Sequence, residues 1–282
     1  MKTILEVIQL SADYLEKKGI QPARRQAEEI LADGLGITRM DLYMQFERPL
    51  NPEELQQLRD RIVRRGNGEP VAYIHGSVKF LDCVIQVNPQ VLIPRQETEI
   101  LADKIVQEIK KETYQDKVLW DLCTGSGCLA ISIKKKLPEL EVYGIDICSE
   151  ALDVSKKNSL ENAVAIQWIQ GDLTQPMKGQ LCDYLVCNPP YITNKEFLNL
   201  DPSVGKYEPK KALVSGPTGI EFYKRLAEEL PKVLRPGGKV WFELGTGQGS
   251  SVLELFNEPI WKTKRVEKDW AGHDRFFFLE LS

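Results

Sequence analysis

Apolar residues recur every three or four positions through the first quarter of the chain, the spacing that amphipathic helices need. This pattern predicts four helices, of which Pro22 opens the second and Thr38 caps the third. The fourth ends just before residues 66–70, where two glycines and a proline interrupt the periodicity. Residues 1–70 are therefore predicted to form a small helical domain.

Apolar and polar positions alternate from residue 71 onward, and β-branched residues become frequent. Short strands are predicted at residues 71–74, 78–80 and 83–87. We expect a hairpin or small sheet over residues 71–95 that joins the helical domain to the rest of the chain.

Strands and helices alternate through residues 96–282, after a first helix at about residues 97–112. The strands are predicted at residues 117–122, 141–146, 165–170, 182–187, 239–244 and 275–281. Helices are predicted near residues 127–137, 149–161, 217–234 and 249–257. Such alternation is typical of an α/β fold with a doubly wound, Rossmann-like sheet.

The composition is that of an ordinary globular protein, and it narrows the choice of function. The 282 residues carry a formal net charge of −4, which argues against a protein whose main task is to coat nucleic acid. No apolar run approaches the ~20 residues that a membrane-spanning helix needs, and we expect a cytoplasmic protein. The six cysteines form no C-x-x-C pair and have no histidine at metal-binding spacing, so we expect structural thiols and no metal site.

The first strand of the predicted sheet ends in a glycine-rich turn that leads directly into a helix. Glycines at such a turn let the backbone approach a ligand closely at the carboxyl edge of the sheet. The candidate cofactor-binding residues in this turn are Asp121, Cys123, Thr124, Gly125, Ser126 and Gly127. The turn also satisfies the G-x-G-x-x-A fingerprint of dinucleotide-binding proteins, so by itself it leaves an NAD-dependent oxidoreductase open.

Acidic residues follow the next two strands at the same edge of the sheet. Asp146 ends the second strand about twenty residues after the glycines, where a carboxylate can bind the two ribose hydroxyls of an adenosyl group. Asp172 follows the third strand and can accept a hydrogen bond from the adenine amino group, while Leu173 covers the ring. Because Asp121 adds negative charge beside the glycine turn, the site suits a cationic ligand such as S-adenosylmethionine better than a pyrophosphate.

The fourth strand is followed by the sequence Asn-Pro-Pro-Tyr at residues 188–191. Two prolines stiffen this loop and push the residue before each of them into extended geometry. The Asn188 side-chain oxygen and the Pro189 carbonyl can each accept one hydrogen of a planar NH2 group, and Tyr191 can pack on its face. Pro190 completes a predicted clamp for an amide or an aromatic amine. Because this loop lies at the same edge of the sheet as the glycine turn, Asn188 is also a candidate cofactor-binding residue.

At this point the chain closely resembles the class I S-adenosylmethionine-dependent methyltransferases with an N-P-P-Y loop, and within them the release-factor glutamine methyltransferases. The resemblance covers nearly the whole chain. Besides the glycine turn, the N-P-P-Y loop and the helical domain, it includes residues 68–76, 92–99 and 207–213.

The resemblance implies a seven-stranded methyltransferase sheet, S-adenosylmethionine as cofactor, and N5-methylation of the glutamine in the Gly-Gly-Gln tripeptide of class I peptide chain release factors. The helical domain and the hairpin would help to hold that protein substrate. Cys123 stands where the family pattern usually has glycine, and Gln96 stands where it has a second proline. Glu208 lies in another shared segment, but the sequence assigns it no contact.

Two further hypotheses use the same residues differently. An adenine-N6 methyltransferase would clamp an exocyclic amine in the same way, but it needs a basic track along the nucleic acid backbone. Residues 1–70, with 11 Lys and Arg against 12 Asp and Glu, do not supply one, and no stable nucleic acid binding is expected. A non-catalytic module that only binds release factors would leave the intact clamp without a task.

Overall fold

The computed structural model describes all residues, 1–282, and the chain divides into two compact units. One unit contains residues 1–77 and 201–207, and the other contains residues 78–200 and 208–282. The helices are α1 (Ile4–Lys17), α2 (Ala23–Gly34), α3 (Arg39–Met44), α4 (Pro52–Gly66), α5 (Val71–His75), α6 (Gln96–Ile109), α7 (Cys128–Lys136), α8 (Ser149–Glu161), α9 (Asn194–Phe197), α10 (Pro202–Tyr207), α11 (Lys210–Leu213), α12 (Glu221–Glu229) and α13 (Gly249–Leu255). The strands are β1 (Ser77–Phe80), β2 (Cys83–Gln86), β3 (Val118–Leu122), β4 (Glu141–Asp146), β5 (Gln167–Gln170), β6 (Cys182–Cys187), β7 (Ile192–Thr193), β8 (Val214–Gly216), β9 (Leu234–Glu243), β10 (Trp261–Lys268) and β11 (Asp274–Leu281).

The helical unit packs α1, α2 and α4 around an apolar core. Thr3, Thr38 and Asn51 each form a reciprocal capping box with an acidic residue three positions later, which satisfies backbone N–H groups that a helix start leaves unpaired. Residues 201–207 also belong to this unit, and the Tyr207 hydroxyl donates to the Asn67 carbonyl at 2.9 Å. Sequence patterns alone did not predict that a segment so distant in the chain joins the helices.

The predicted strand at residues 71–74 is wrong, because this segment is the short helix α5. The Pro70 carbonyl accepts hydrogen bonds from Tyr73 N and Ile74 N, so the turn is closed locally and no ladder partner is needed. Ile74 is buried in the core of the helical unit. The compact helical unit therefore extends to residue 77, beyond the predicted boundary at residue 70.

The larger unit contains a seven-stranded sheet in the order β10-β11-β9-β6-β3-β4-β5. Strands β5, β4, β3, β6 and β9 are parallel. Strand β11 pairs antiparallel with β9, and β10 at the edge pairs antiparallel with β11. The predicted Rossmann-like α/β fold is confirmed. No helix in the chain is long and apolar enough to cross a membrane.

The edge strand β10 was not predicted. Its sequence, WKTKRVEK, is dominated by charged residues and most of its side chains reach solvent. Lysines and arginines are common on edge strands because they oppose pairing with another chain. Their charge also hides the apolar alternation on which strand prediction depends.

The β1–β2 hairpin is joined to α8 by two buried asparagines. The Asn158 side chain accepts from Gln86 N at 2.8 Å and donates to Gln86 O at 3.1 Å and to Ser126 O at 2.9 Å. Asn162 makes the same pair of bonds with the backbone of Val84, at 3.2 and 2.8 Å. The two asparagine side chains thus bind backbone groups of β2 that would otherwise need a neighbouring strand as their partner.

We expect Asn158→Ala to lower the free energy of unfolding by about 2–4 kcal/mol, since it leaves several buried backbone groups without partners. The measurement is the urea midpoint followed by circular dichroism. The matched control is Lys157→Ala at the exposed neighbouring position, which should change stability little. Equal midpoints for the two variants would contradict the bridging role.

Candidate active site

A cavity of about 550 Å³ opens at the carboxyl edge of the parallel strands. It lies where the loops after β3, β4, β5 and β6 converge, the position at which doubly wound sheets bind ligands. The predicted site residues in its wall are Cys123, Thr124, Gly125, Ser126, Asp146, Asp172, Leu173, Asn188 and Pro190. Asp121, Gly127, Pro189 and Tyr191 lie outside the wall.

The glycine turn between β3 and α7 is fixed by close packing and by a side-chain hydrogen bond. Gly127 has a φ of +79°, and a Cβ there would come within 2.8 Å of the Trp168 ring. Gly125 also has a positive φ, but a Cβ there would meet no atom closer than 3.9 Å. Ser155 donates to the Gly125 carbonyl at 2.7 Å and thereby fixes the turn. Gly127 is thus required by packing, whereas the space beside Gly125 is open to a ligand.

Asp146 lies in the cavity wall and also organises the turn. Its two carboxylate oxygens accept from Gly125 N and from Cys148 N, both at 2.9 Å. Burial raises the pKa of Asp146, and these backbone hydrogen bonds oppose the rise. Each oxygen keeps a further lone pair that can accept from a ligand hydroxyl.

Asp172 lies across the cavity with a partner that the sequence did not reveal. Arg225 on α12 donates to its Oδ2 at 2.9 Å and also lines the cavity. The ion pair leaves Asp172 Oδ1 available to accept from a ligand. Leu173 is buried beside it with a φ of +49°, so the loop after β5 bends sharply at the cavity wall.

Asp121 lies beneath the wall instead of in it. Its Oδ2 accepts from the Thr124 hydroxyl at 2.5 Å and from Ala130 N at 3.2 Å, while Oδ1 is buried without a partner. Burial raises the pKa of Asp121 to about 7, although the hydrogen bonds from Thr124 and Ala130 oppose the rise. The carboxyl predicted beside the glycine turn is therefore buried outside the cavity wall, and it is only partly charged near neutral pH.

The loop after β6 carries Asn188 into the cavity wall. Asn188 Nδ2 donates to the hydroxyl of Thr98 at 3.3 Å, and that hydroxyl donates to Glu243 Oε2 at 2.7 Å. Past the prolines, Gln248 Nε2 donates to the Tyr191 carbonyl at 2.9 Å. Side chains from α6, from the end of β9 and from the start of α13 therefore hold the loop on both sides.

Glu208, to which the sequence assigned no contact, joins two segments of the cavity wall. It is almost fully buried, and it accepts from Ile93 N at 3.1 Å and from Arg95 Nη2 at 2.5 Å. The prolines next to these groups, Pro94 and Pro209, both line the cavity. Glu208 thus fastens the segment before α6 to the segment before α11.

Comparison with known proteins supplies the family. The model of the PrmC N-terminal domain matches residues 6–76, and that of the methyltransferase small domain matches residues 96–201. A release factor glutamine methyltransferase from Chlamydia trachomatis serovar L2 is 42% identical over 98% of this chain and 93% of its own length. One from Geobacter sulfurreducens is 37% identical over 97% and 95%.

This chain belongs to the release factor glutamine methyltransferase family. A methyltransferase from Pyrococcus furiosus, 18% identical, has a solved structure that covers 79% of this chain and 96% of its own, with a TM-score of 0.52. That likeness shows the shared fold. The resemblance stated from the sequence is confirmed, and the cofactor of this methyltransferase is S-adenosylmethionine.

The cavity residues of the methyltransferase fit this cofactor. The turn at Gly125 leaves room for a ligand, Asp146 is placed to accept from hydroxyls, and Asp172 and Leu173 lie together beyond it. The buried carboxyl of Asp121 has a pKa of about 7 and adds negative charge next to the turn only as pH rises through that value. When bound, S-adenosylmethionine supplies an electrophilic methyl group on a positively charged sulfur.

Cys123, which replaces the usual family glycine, has a φ of +56°. That conformation costs a residue with a Cβ roughly 1–2 kcal/mol. The side chain lies in the cavity wall, beside the loops that carry Asp146 and Asn188. The departure therefore changes the shape of the cavity without removing a polar group from it.

Sequence reasoning missed Thr98, Arg225, Glu243 and Gln248 as contributors to this site. Glu243 could have been found, because it is the last residue of a strand in the same sheet, as Asp146 is. Thr98 lies in a segment that the family shares, but its task depends on a neighbour 145 residues away. Arg225 lies on α12 and Gln248 directly precedes α13, and in both places the local pattern carries no sign of a partner.

The raised pKa of Asp121 predicts a pH-dependent cost in the protein without cofactor. An Asp with an ordinary pKa of 3.8 when unfolded and about 7 when folded destabilises the fold progressively as pH rises through that interval. We therefore expect Asp121→Asn to raise Tm relative to wild type, with the difference widening from about pH 4 to pH 7 and constant above it. Thermal scans across this range make the measurement, and a difference that does not vary with pH would contradict it.

Proposed function

We propose that this methyltransferase transfers a methyl group from S-adenosylmethionine to the side-chain amide nitrogen of the glutamine in the Gly-Gly-Gln motif of class I peptide chain release factors. The observation that carries the proposal is the position of Asn188. Its amide lies in the same cavity wall as the predicted cofactor-binding residues, and its Nδ2 is already engaged by Thr98. The side-chain oxygen is left to accept from a substrate.

The task of the loop follows from the chemistry of a primary amide. The nitrogen lone pair is conjugated with the carbonyl, so it is a poor nucleophile until the NH2 group is held and turned. Acceptors at Asn188 Oδ1 and the Pro189 carbonyl would each take one N–H hydrogen and direct the lone pair toward the methyl group. Attack of the nitrogen on the methyl carbon would break the carbon–sulfur bond, with the sulfur leaving as a neutral thioether, and the methylated nitrogen would then lose a proton to solvent. Positioning of this kind can lower a barrier by ~7–11 kcal/mol in favourable cases.

Tyr191 was predicted to pack on the amide face, and its ring lies against the core and Gly245. Its carbonyl is held by Gln248. We propose that Tyr191 acts mainly by fixing the end of the loop, with Pro190 forming the wall beside the substrate.

The helical unit, matched by the PrmC N-terminal domain model, is proposed to recognise the protein substrate. It has a core of its own, and the sequence gives it no chemistry. A cytoplasmic location, where release factors act, agrees with the six unpaired cysteines, since thiols remain reduced there.

The decisive experiment incubates the protein with S-adenosylmethionine and a recombinant class I release factor, followed by peptide mass spectrometry. We expect one added methyl group, about 14 daltons, on the glutamine of the Gly-Gly-Gln peptide. Transfer to adenine in DNA or RNA, with an unmodified release factor, would overturn the proposal.

Asn188→Ala should lower kcat for release factor methylation by about 10²–10³, by analogy with the loss of one preorganised hydrogen-bonding group. Cofactor affinity measured by calorimetry should stay close to that of wild type. The control is Asn257→Ala, at an exposed position after α13. Turnover near the wild-type rate in Asn188→Ala would mean that the loop is only a rigid corner.

Asp146→Ala should weaken binding of S-adenosylmethionine by roughly 1.5–3 kcal/mol, the range for hydrogen bonds to a charged group. Isothermal titration calorimetry measures this loss, and Asp153→Ala on the exposed face of α8 is the matched control. Equal affinity for Asp146→Ala and wild type would place the ribose elsewhere.

A further inference from the structure

Two buried side chains, Thr98 and Glu243, are linked to the Asn188 amide by hydrogen bonds. Neither of them forms a hydrogen bond with the predicted cofactor-binding carboxylates or with the N-P-P-Y prolines. Thr98 is 2% exposed and lines the cavity, whereas Glu243 is 1% exposed and lies outside the cavity wall. Thr98 comes from α6, Asn188 follows β6, and Glu243 ends β9. Three separate elements thus meet at one hydrogen-bonded chain.

The direction of this chain follows from counting hydrogens. A threonine hydroxyl has one hydrogen, and Thr98 donates it to Glu243 Oε2 at 2.7 Å. Its oxygen can then only accept, so the group that Asn188 turns toward it must be the NH2, at 3.3 Å. The amide oxygen of Asn188 must point the other way.

We propose that Thr98 and Glu243 are positioning residues that fix the Asn188 side chain with its oxygen toward the substrate. The inference rests on the proposed function, because it assigns the orientation of the clamp that holds the substrate amide. Without this pair, the two ends of the Asn188 amide are nearly equal in shape. Half of the molecules could then offer a donor where the substrate NH2 needs an acceptor.

The protonation state of Glu243 decides the direction of both hydrogen bonds, the one between Glu243 and Thr98 and the one between Thr98 and Asn188. If its carboxyl carried a proton, it could donate to the Thr98 oxygen, and the freed threonine hydrogen could go to Asn188 Oδ1. That exchange would reverse the amide. Burial raises the pKa of Glu243 to about 7, while the charge of Arg275 and hydrogen bonding from the Thr98 hydroxyl and the Asn188 amide oppose the rise.

Several groups face Glu243 from the elements around it. Arg275 on β11 favours its charged form and Glu97 on α6 disfavours it. Two tyrosines and a cysteine also interact with Glu243, namely Tyr191, Tyr223 and Cys128. Burial raises the pKa of each of these groups and so keeps them neutral. Loss of the oriented state should therefore follow the protonation of Glu243 itself.

The first test is a double-mutant cycle of Thr98→Val and Asn188→Ala, with Thr98→Ser as the conservative variant. Thr98→Val keeps the shape but removes the hydroxyl, and it should lower kcat for release factor about 10-fold or more, with S-adenosylhomocysteine affinity within about twofold of wild type. Thr98→Ser should retain most of the rate. In the Asn188→Ala background, Thr98→Val should have no further effect, because the residue through which it acts is gone.

An equal loss of rate in both backgrounds would overturn the proposal, as would a parallel loss of cofactor affinity. So would full activity of Thr98→Val in the wild-type background. Failure of the proposed function is seen separately, because wild type would then leave the release factor unmethylated.

The second test measures the pH dependence of kcat. It does not require the Thr98→Val substitution at a buried position. In wild type, kcat should fall as pH drops below about 7, where Glu243 takes up a proton. Glu243→Gln holds the neutral state permanently and should be slow at every pH, without that fall. Because Asp121 also titrates near pH 7, the same profile is measured in Asp121→Asn. An acidic limb that is kept in Glu243→Gln but lost in Asp121→Asn would overturn the role of Glu243, as would a Glu243→Gln variant as fast as wild type at pH 8.

Discussion

The parallel pairing of β3 with β4 on one side and β6 on the other is the constraint on which the site depends. Parallel strands end at the same edge of a sheet, so residues spread from position 121 to position 188 are brought to one line of loops. The register sets Leu122 beside Cys187, and the glycine turn and Asn188 directly follow these residues. A ligand bound by the first three loops would therefore lie next to the fourth.

This arrangement buries two carboxyl groups, and their burial costs free energy when they are charged. Asp121 and Glu243 are both 1% exposed, and burial raises the pKa of each to about 7. Each is held by a threonine hydroxyl, Thr124 in one case and Thr98 in the other. The two carboxylates thus have the same kind of support, one below the glycine turn and one behind the clamp.

Much of the fold was predictable because local patterns and the sheet rules agree. The parallel strands were expected close to their observed places, except that β9 begins at Leu234, where a helix end was predicted. Asp146, Asp172 and Asn188 lie at the ends of strands that meet at one edge. The segment at residues 71–74 was not predictable, since an apolar run of that length suits a strand or a single helical turn. Asp121 shows the limit for the site: the pattern gives its position along the strand but not its depth, which depends on how Thr124 and Ala130 fold over it.

The orienting chain behind Asn188 also has a consequence for the order in which the protein assembles. Thr98 and Asn188 are 90 residues apart, and Thr98 and Glu243 are 145 residues apart. The glycine turn and Asp146 need only β3, β4 and α8, which a growing polypeptide completes early. The clamp cannot be oriented until β9 has been added, and contacts between such distant positions form slowly. A nascent or truncated chain would therefore be able to bind cofactor before it could transfer the methyl group. Methyl transfer would begin only once the last strands are in place.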